Sequence, residues 1–117
     1  MNLLKKIREE NPDIIIQNRG FEIIDETAPY IDGVLFEDFT TYYDFKNKKA
    51  YYWEGNDLNW INVQSEKLKS LKEKYGIVVL TLDYVNDDEM AKRCVEHAKK
   101  YNFIPMTTKD IDLNSIN

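Results

Sequence analysis

Glu37 and Asp38 end the run Ile31-Asp32-Gly33-Val34-Leu35-Phe36, a short stretch with no helical period that is entered through a glycine. A continuous apolar run of this length fits a strand buried on both faces, as in a parallel sheet. Open α/β sheets and α/β barrels bind ligands at the carboxyl ends of their strands. An acid placed there is a candidate general acid or base, provided a partly apolar setting raises its pKa. Glu37 is the first such candidate; its ordinary alternative is a solvated acid capping the next element. Asp38 is its neighbour, so side-chain alternation points it elsewhere and assigns it a structural part.

Three further groups have candidate positions. Asp83-Tyr84 closes the apolar run Ile77–Leu82. Asp83 is a second acid, a hydroxyl ligand, or a turn former ahead of Asn86, and pattern alone favours the turn. Asn18 follows Ile14-Ile15-Ile16-Gln17; it either binds a ligand or tolerates the turn before Gly20. Tyr42, Tyr43 and Trp53 lie in an aromatic-rich stretch and offer flat stacking platforms. The competing use of those rings is to staple the stretch to the fold. His97 is the sole histidine and Cys94 the sole cysteine. A metal centre or a histidine-centred triad therefore has little support, and no cofactor motif is present. Cys94 reads as a small core residue.

The elements that must carry these groups follow from periodicity. Leu3, Leu4 and Ile7 predict a helix over 2–10, ended by Asn11-Pro12. Asp13–Gln17 predicts the first strand and Asn18-Arg19-Gly20 a turn. Phe21, Ile24, Ala28 and Ile31 predict a short amphipathic helix limited by Pro29. Gly33–Glu37 is the second strand. Residues 38–62 form a long connection in which Tyr42–Phe45 and Tyr51–Trp53 flank a polar turn, a candidate hairpin. Leu68, Leu71 and Tyr75 mark a helix closed by Gly76, and Ile77–Leu82 is the third strand. Asn86 and Glu89 form a capping-box-like start for a helix whose apolar face holds Met90, Cys94 and Ala98. Phe103–Thr107 is the fourth strand, and one more helical turn is expected in the tail.

Strands alternating with helices imply a parallel sheet. The expected fold is therefore α/β, with four parallel βα units in one domain spanning 1–117. A complete eight-fold barrel takes about 250 residues, so four units are half of one. Such a half is expected to be completed by a second chain or by self-association, because open edges and exposed apolar faces promote pairing.

Composition sets limits. With 117 residues the chain can bury a core, and 43% hydrophobic with 32% charged residues is a globular balance. The net charge of -5 and the lack of a basic patch argue against nucleic acid as a partner. No apolar run approaches the ~20 residues needed to span a bilayer, so no membrane role is expected. The first residues are too short and interrupted for a secretory signal.

Taken together, Asn18-Arg19-Gly20, Ile31-Asp32-Gly33 leading to Phe36-Glu37-Asp38, Val79–Tyr84 and Tyr101-Asn102-Phe103-Ile104-Pro105 occur in an order and spacing that resemble the last four βα units of glycoside hydrolase family 114 barrels, the endo-α-1,4-polygalactosaminidase-like enzymes. The resemblance runs from Asp13 to Thr107. It implies a TIM-barrel glycosidase acting on amino-sugar polysaccharides, in a family whose members are often extracellular. Glu37 matches the family's glutamate on the sixth strand. Asn18, Asp83 and Tyr84 match positions lining its sugar cleft. The family's other acid, on an earlier strand, has no counterpart in this chain. Glycosidases work with two carboxylates about 5–5.5 Å apart for retention or about 6.5–9.5 Å for inversion. The isolated chain is accordingly expected to be inactive or incomplete as a hydrolase. The alternatives are a non-catalytic carbohydrate-binding or assembly domain, and a structural fragment without activity.

Overall fold

The computed structural model describes Ile16–Asn18 and residues 24–109. The helix predicted over 2–10, Arg19, Phe21 and the turn expected in the tail lie outside the described residues. The elements are β1 (Ile16–Asn18), a short helix α1 (Ile24–Thr27) running into a 3-10 turn (Ala28–Tyr30), β2 (Gly33–Glu37), β3 (Thr41–Asp44), β4 (Lys49–Tyr52), α2 (Gly55–Tyr75), β5 (Val78–Tyr84), α3 (Asp88–Lys100) and β6 (Ile104–Thr108). The main sheet has the order β1-β2-β5-β6 and every pair in it is parallel. β3 and β4 form a separate antiparallel hairpin.

β2 occupies the predicted residues because its apolar run is bounded by a glycine and an acid that turns. Asp38 adopts φ 53°, a left-handed conformation that aspartate tolerates. Its N–H still donates to Leu82 O at 2.9 Å, so the ladder extends one bond past the strand. The connection that follows is shorter than predicted. The loop expected over 38–62 stops where α2 begins at Gly55. α2 buries Ile61, Ser65, Leu68 and Leu71, a narrow stripe that returns to one side at helical spacing. Ser65 fits that stripe by donating its hydroxyl to Ile61 O at 2.7 Å. Gly76 ends the helix at φ 69°, and its N–H donates to Lys72 O.

α3 starts one residue later than the predicted cap. Asp87, not Asn86, is the N-cap, and its carboxylate accepts from Met90 N at 2.8 Å. Asp88 and Glu89 follow in the first turn, and His97, Lys99 and Lys100 occupy the last, complementing the helix dipole. Met90, Cys94 and Ala98 are buried at i, i+4 and i+8, as the pattern predicts.

Strand parity separates two faces of the sheet. Val34, Phe36 and Val79 face the helices in a core with Leu68, Ala98 and Phe103. Phe39, placed by the sequence in the aromatic connection, is fully buried there. It lies 5.1 Å from Phe36 and 5.9 Å from Phe103, edge to face. Leu35, Leu80 and Leu82 have the other parity and are only half-buried. On that second face Val78, Ile104 and Met106 are 42%, 50% and 39% exposed.

Candidate active site

The carboxyl ends of β2 and β5 lie side by side, with Glu37 in register with Leu82. Glu37 shares parity with Leu35, so its side chain belongs to the open face, where it is half-buried. Tyr84 ends β5 on the same face and is also half-buried. Burial raises the Tyr84 phenol above its ordinary 10, and the negative charges of Asp38 and Glu37 push it the same way. The three groups therefore lie within electrostatic reach of one another at one end of the sheet.

The hairpin flanks this rim through two differently used faces. Tyr42 and Tyr51 are cross-strand partners with ring centroids 6.0 Å apart, and Tyr42 packs 4.4 Å from Trp53. The Trp53 indole N–H donates to Asp38 O at 2.7 Å, which fixes this aromatic strip to the end of β2. On the opposite face Thr41 and Ala50 are buried against the body of the fold. Tyr43 lies 6.2 Å from Tyr84 and lines a cleft of about 210 Å³ with Tyr84, Thr108 and Lys109. A second, more open cleft of about 510 Å³ lies between β4 and the start of α3, with Tyr51, Tyr52, Glu54 and Arg93 among its walls.

Asp83 does not join the rim. It has the parity of Thr81 and Val79, faces the helices, and is 1% exposed. Its Oδ1 accepts from Thr40 N at 2.6 Å and from Thr41 N at 3.1 Å. The Thr41 hydroxyl donates to Tyr84 O at 2.6 Å beside it. Burial raises the Asp83 carboxyl above its ordinary 3.8, against the lowering effect of the two amides. Neither the substrate contact nor the turn expected of Asp83 is what it does here: it is a buried brace for the root of the hairpin.

Two more residues hold the hairpin: His97, for which the sequence supports no metal or triad role, and Asn86, which its spacing from Glu89 marks as a helix cap. Thr40 Oγ1 and His97 Nδ1 are 2.8 Å apart, and the His97 ring stacks on Phe39 at 4.2 Å. Burial, with a smaller effect from Lys100, holds the imidazole pKa below 6.5. Asn86 bonds Ala50 twice, accepting from its N–H at 2.9 Å and donating to its carbonyl at 2.8 Å. Cys94 is fully buried, and burial together with the Asp83 charge pushes its thiol up to about 12. Thiolate chemistry is therefore closed to it.

Asn18 is the last residue of β1, in register with Leu35; its side chain lies outside the described residues. The structure thus brings Glu37, Tyr84 and Tyr43 to one rim, sets Tyr42 and Trp53 beside it, and withdraws Asp83. No group of three or more histidine, cysteine or carboxylate side chains suited to a metal ion occurs among the described residues.

No protein-family model matches the sequence, and no curated protein matches it. The fold matches solved structures. The glycoside hydrolase domain of PelA from Pseudomonas aeruginosa aligns with a TM-score of 0.69 at 18% identity, over 91% of this chain and 42% of that one. A single-site variant of the same domain gives 0.68 at 17% identity over the same shares. The chain thus spans about two fifths of the length of the domain it resembles. The fold is that of part of a glycoside hydrolase-like domain, α/β with a parallel sheet. The likeness does not single out family 114.

Proposed function

We propose that this chain forms one wall of a polysaccharide cleft of glycoside hydrolase type, with Glu37 as the general acid/base carboxylate. The observation that carries the reading is the convergence of Glu37, Asp38 and Tyr84 at the ends of two adjacent parallel strands. The site sits where such folds bind ligands. In this reading Glu37 handles the proton at the glycosidic oxygen, and the Tyr84 phenol, kept protonated by its raised pKa, donates a hydrogen bond. Tyr42 offers an apolar ring face to a sugar, Trp53 backs it against the core, and Tyr43 shapes the cleft beside Tyr84. The substrate class we favour is an amino-sugar polymer such as a galactosaminoglycan. The ordered motifs that resemble family 114 support this class; the acids Asp88 and Glu89 near the clefts are paired with Lys109 and Arg93 and do not bear on it.

Hydrolysis also needs a second carboxylate, which we assign to a segment outside this chain's own rim. Binding without turnover is the second reading, and the burial of Asp83 is what favours it. Incubation with partly deacetylated amino-sugar polymers tests both. Product release that is lost in Glu37→Gln, with binding kept, supports the hydrolase. Binding with no product in the wild type supports the binding domain. No product and no binding to any such polymer refutes the site.

A further inference from the structure

We infer that two copies of this chain close into one eight-stranded parallel barrel through the open face of the sheet. The register sets Leu35, Leu80 and Ile104 in one row across that face and Leu82 and Met106 in the next. Val78, Ile104 and Met106 are exposed there, while the opposite face carries a buried core. Parallel sheets are found with both faces covered. This one is covered only in part, with Leu35, Leu80 and Leu82 half-buried and the three residues above exposed.

The occupant follows from the sheet's geometry. All four strands run parallel, and the two edges are different strands, β1 and β6. A two-fold axis along the strand direction keeps the strands of both copies parallel. It places β6 of one copy beside β1 of its partner. The same rotation places the partner's β6 beside the first copy's β1, so both seams close together and no edge remains. The result has eight strands, the number whose interior side chains just fill. One copy matches 42% of a single glycoside hydrolase domain, which is the share a half would cover.

Closure also completes the rim, because it brings the partner's Glu37 to the same mouth as the first. The pairing does not depend on turnover at Glu37; only this consequence does.

Sedimentation velocity of the purified chain at tens of micromolar tests the pairing. The expected result is a species of twice the protomer mass. In the double variant Ile104→Glu/Met106→Lys the expected result is a monomer with unchanged far-UV circular dichroism, since both side chains are substantially exposed in the protomer. If that variant does not fold, Val78→Lys serves in its place. A monomeric wild type, a dimer that survives the substitutions, or an open series of larger species each overturns the inference.

Discussion

Replacing Asp83 separates its two parts, an acceptor for the hairpin and a buried charge. Asp83→Ala removes the acceptor of two backbone amides. Leaving a buried donor unpaired costs about 1–3 kcal/mol. The Thr41 N–H is fully buried and bears that cost in full, whereas Thr40 is half-exposed and can turn to water. Loss of the desolvated carboxylate offsets part of it. The expected net destabilisation is about 2 kcal/mol, or roughly 8 °C in Tm at an unfolding entropy of about 2.1 cal/mol/K per residue. Asp83→Asn keeps an oxygen at the same place and removes the charge, so it is expected within about 1 kcal/mol of wild type at neutral pH. The pH dependence has a definite sign. Burial holds the folded carboxyl above 3.8, so the folded chain binds this proton more tightly than the unfolded one. The stability this contributes is complete below the ordinary value and is lost as pH rises through the folded one. Asp83→Asn does not suffer that loss, so it compares best with wild type at neutral pH and worst in acid. Urea denaturation of the three proteins at one fixed chain concentration, across pH 3–8, measures all of this. An unchanged midpoint in Asp83→Ala refutes the brace. Equal damage from Asn and Ala shows that the charge, not the acceptor, holds the hairpin.

Two further outcomes are expected. His97 has its folded pKa depressed by burial, so its contribution is present above about pH 6.5 and is lost as pH falls through the lower folded value. His97→Phe keeps the stack on Phe39 and removes that acid slope, at a cost of about 1 kcal/mol for the bond to Thr40; an unaltered slope in denaturation against pH counts against it. Trp53→Phe loses the bond to Asp38 O and, on the proposed function, the fluorescence change on adding amino-sugar polymer. Trp60→Phe, at a position 51% exposed on α2, keeps that change; the reverse pattern moves the binding surface away from the hairpin.

Much of the frame was legible because strong local signals agreed. β2 was readable residue for residue, since an apolar run lies between Gly33 and Glu37 and both ends are chemically marked. The buried face of α3 was readable because Met90, Cys94 and Ala98 repeat at helical spacing with polar residues between them. α2 was harder. Its first turn, Gly55-Asn56-Asp57-Leu58, is mostly polar, and Trp60 and Val63 are exposed at 51% and 64%, which blurs the stripe. Asn86 and Asp87 are adjacent residues that can both cap a helix. What distinguishes them is long-range. Only an amide can both accept from and donate to Ala50, and β4 is 36 residues away along the chain.

The least legible fact decides the chemistry of the rim. β2 ends in an acid and β5 carries one as its penultimate residue, and parity sends the two opposite ways: Glu37 lies with Leu35 on the open face, Asp83 with Thr81 beneath the hairpin. A shift of one residue in either strand would reverse its assignment. The run Val78–Leu82 is apolar or β-branched at every position, so alternation within it could not tell which face Asp83 would meet. Burial then resolves what composition could not. Thr40 and Thr41 supply two amides at the hairpin's root, and a strand-end carboxylate of the right parity satisfies both. The open face receives Tyr84 from β5 instead, a proton donor at neutral pH. One carboxylate and one phenol can bind a sugar and pass a proton to it. Two-carboxylate hydrolysis requires a further acid across the cleft, and the symmetric barrel is the arrangement in which this chain itself can supply one.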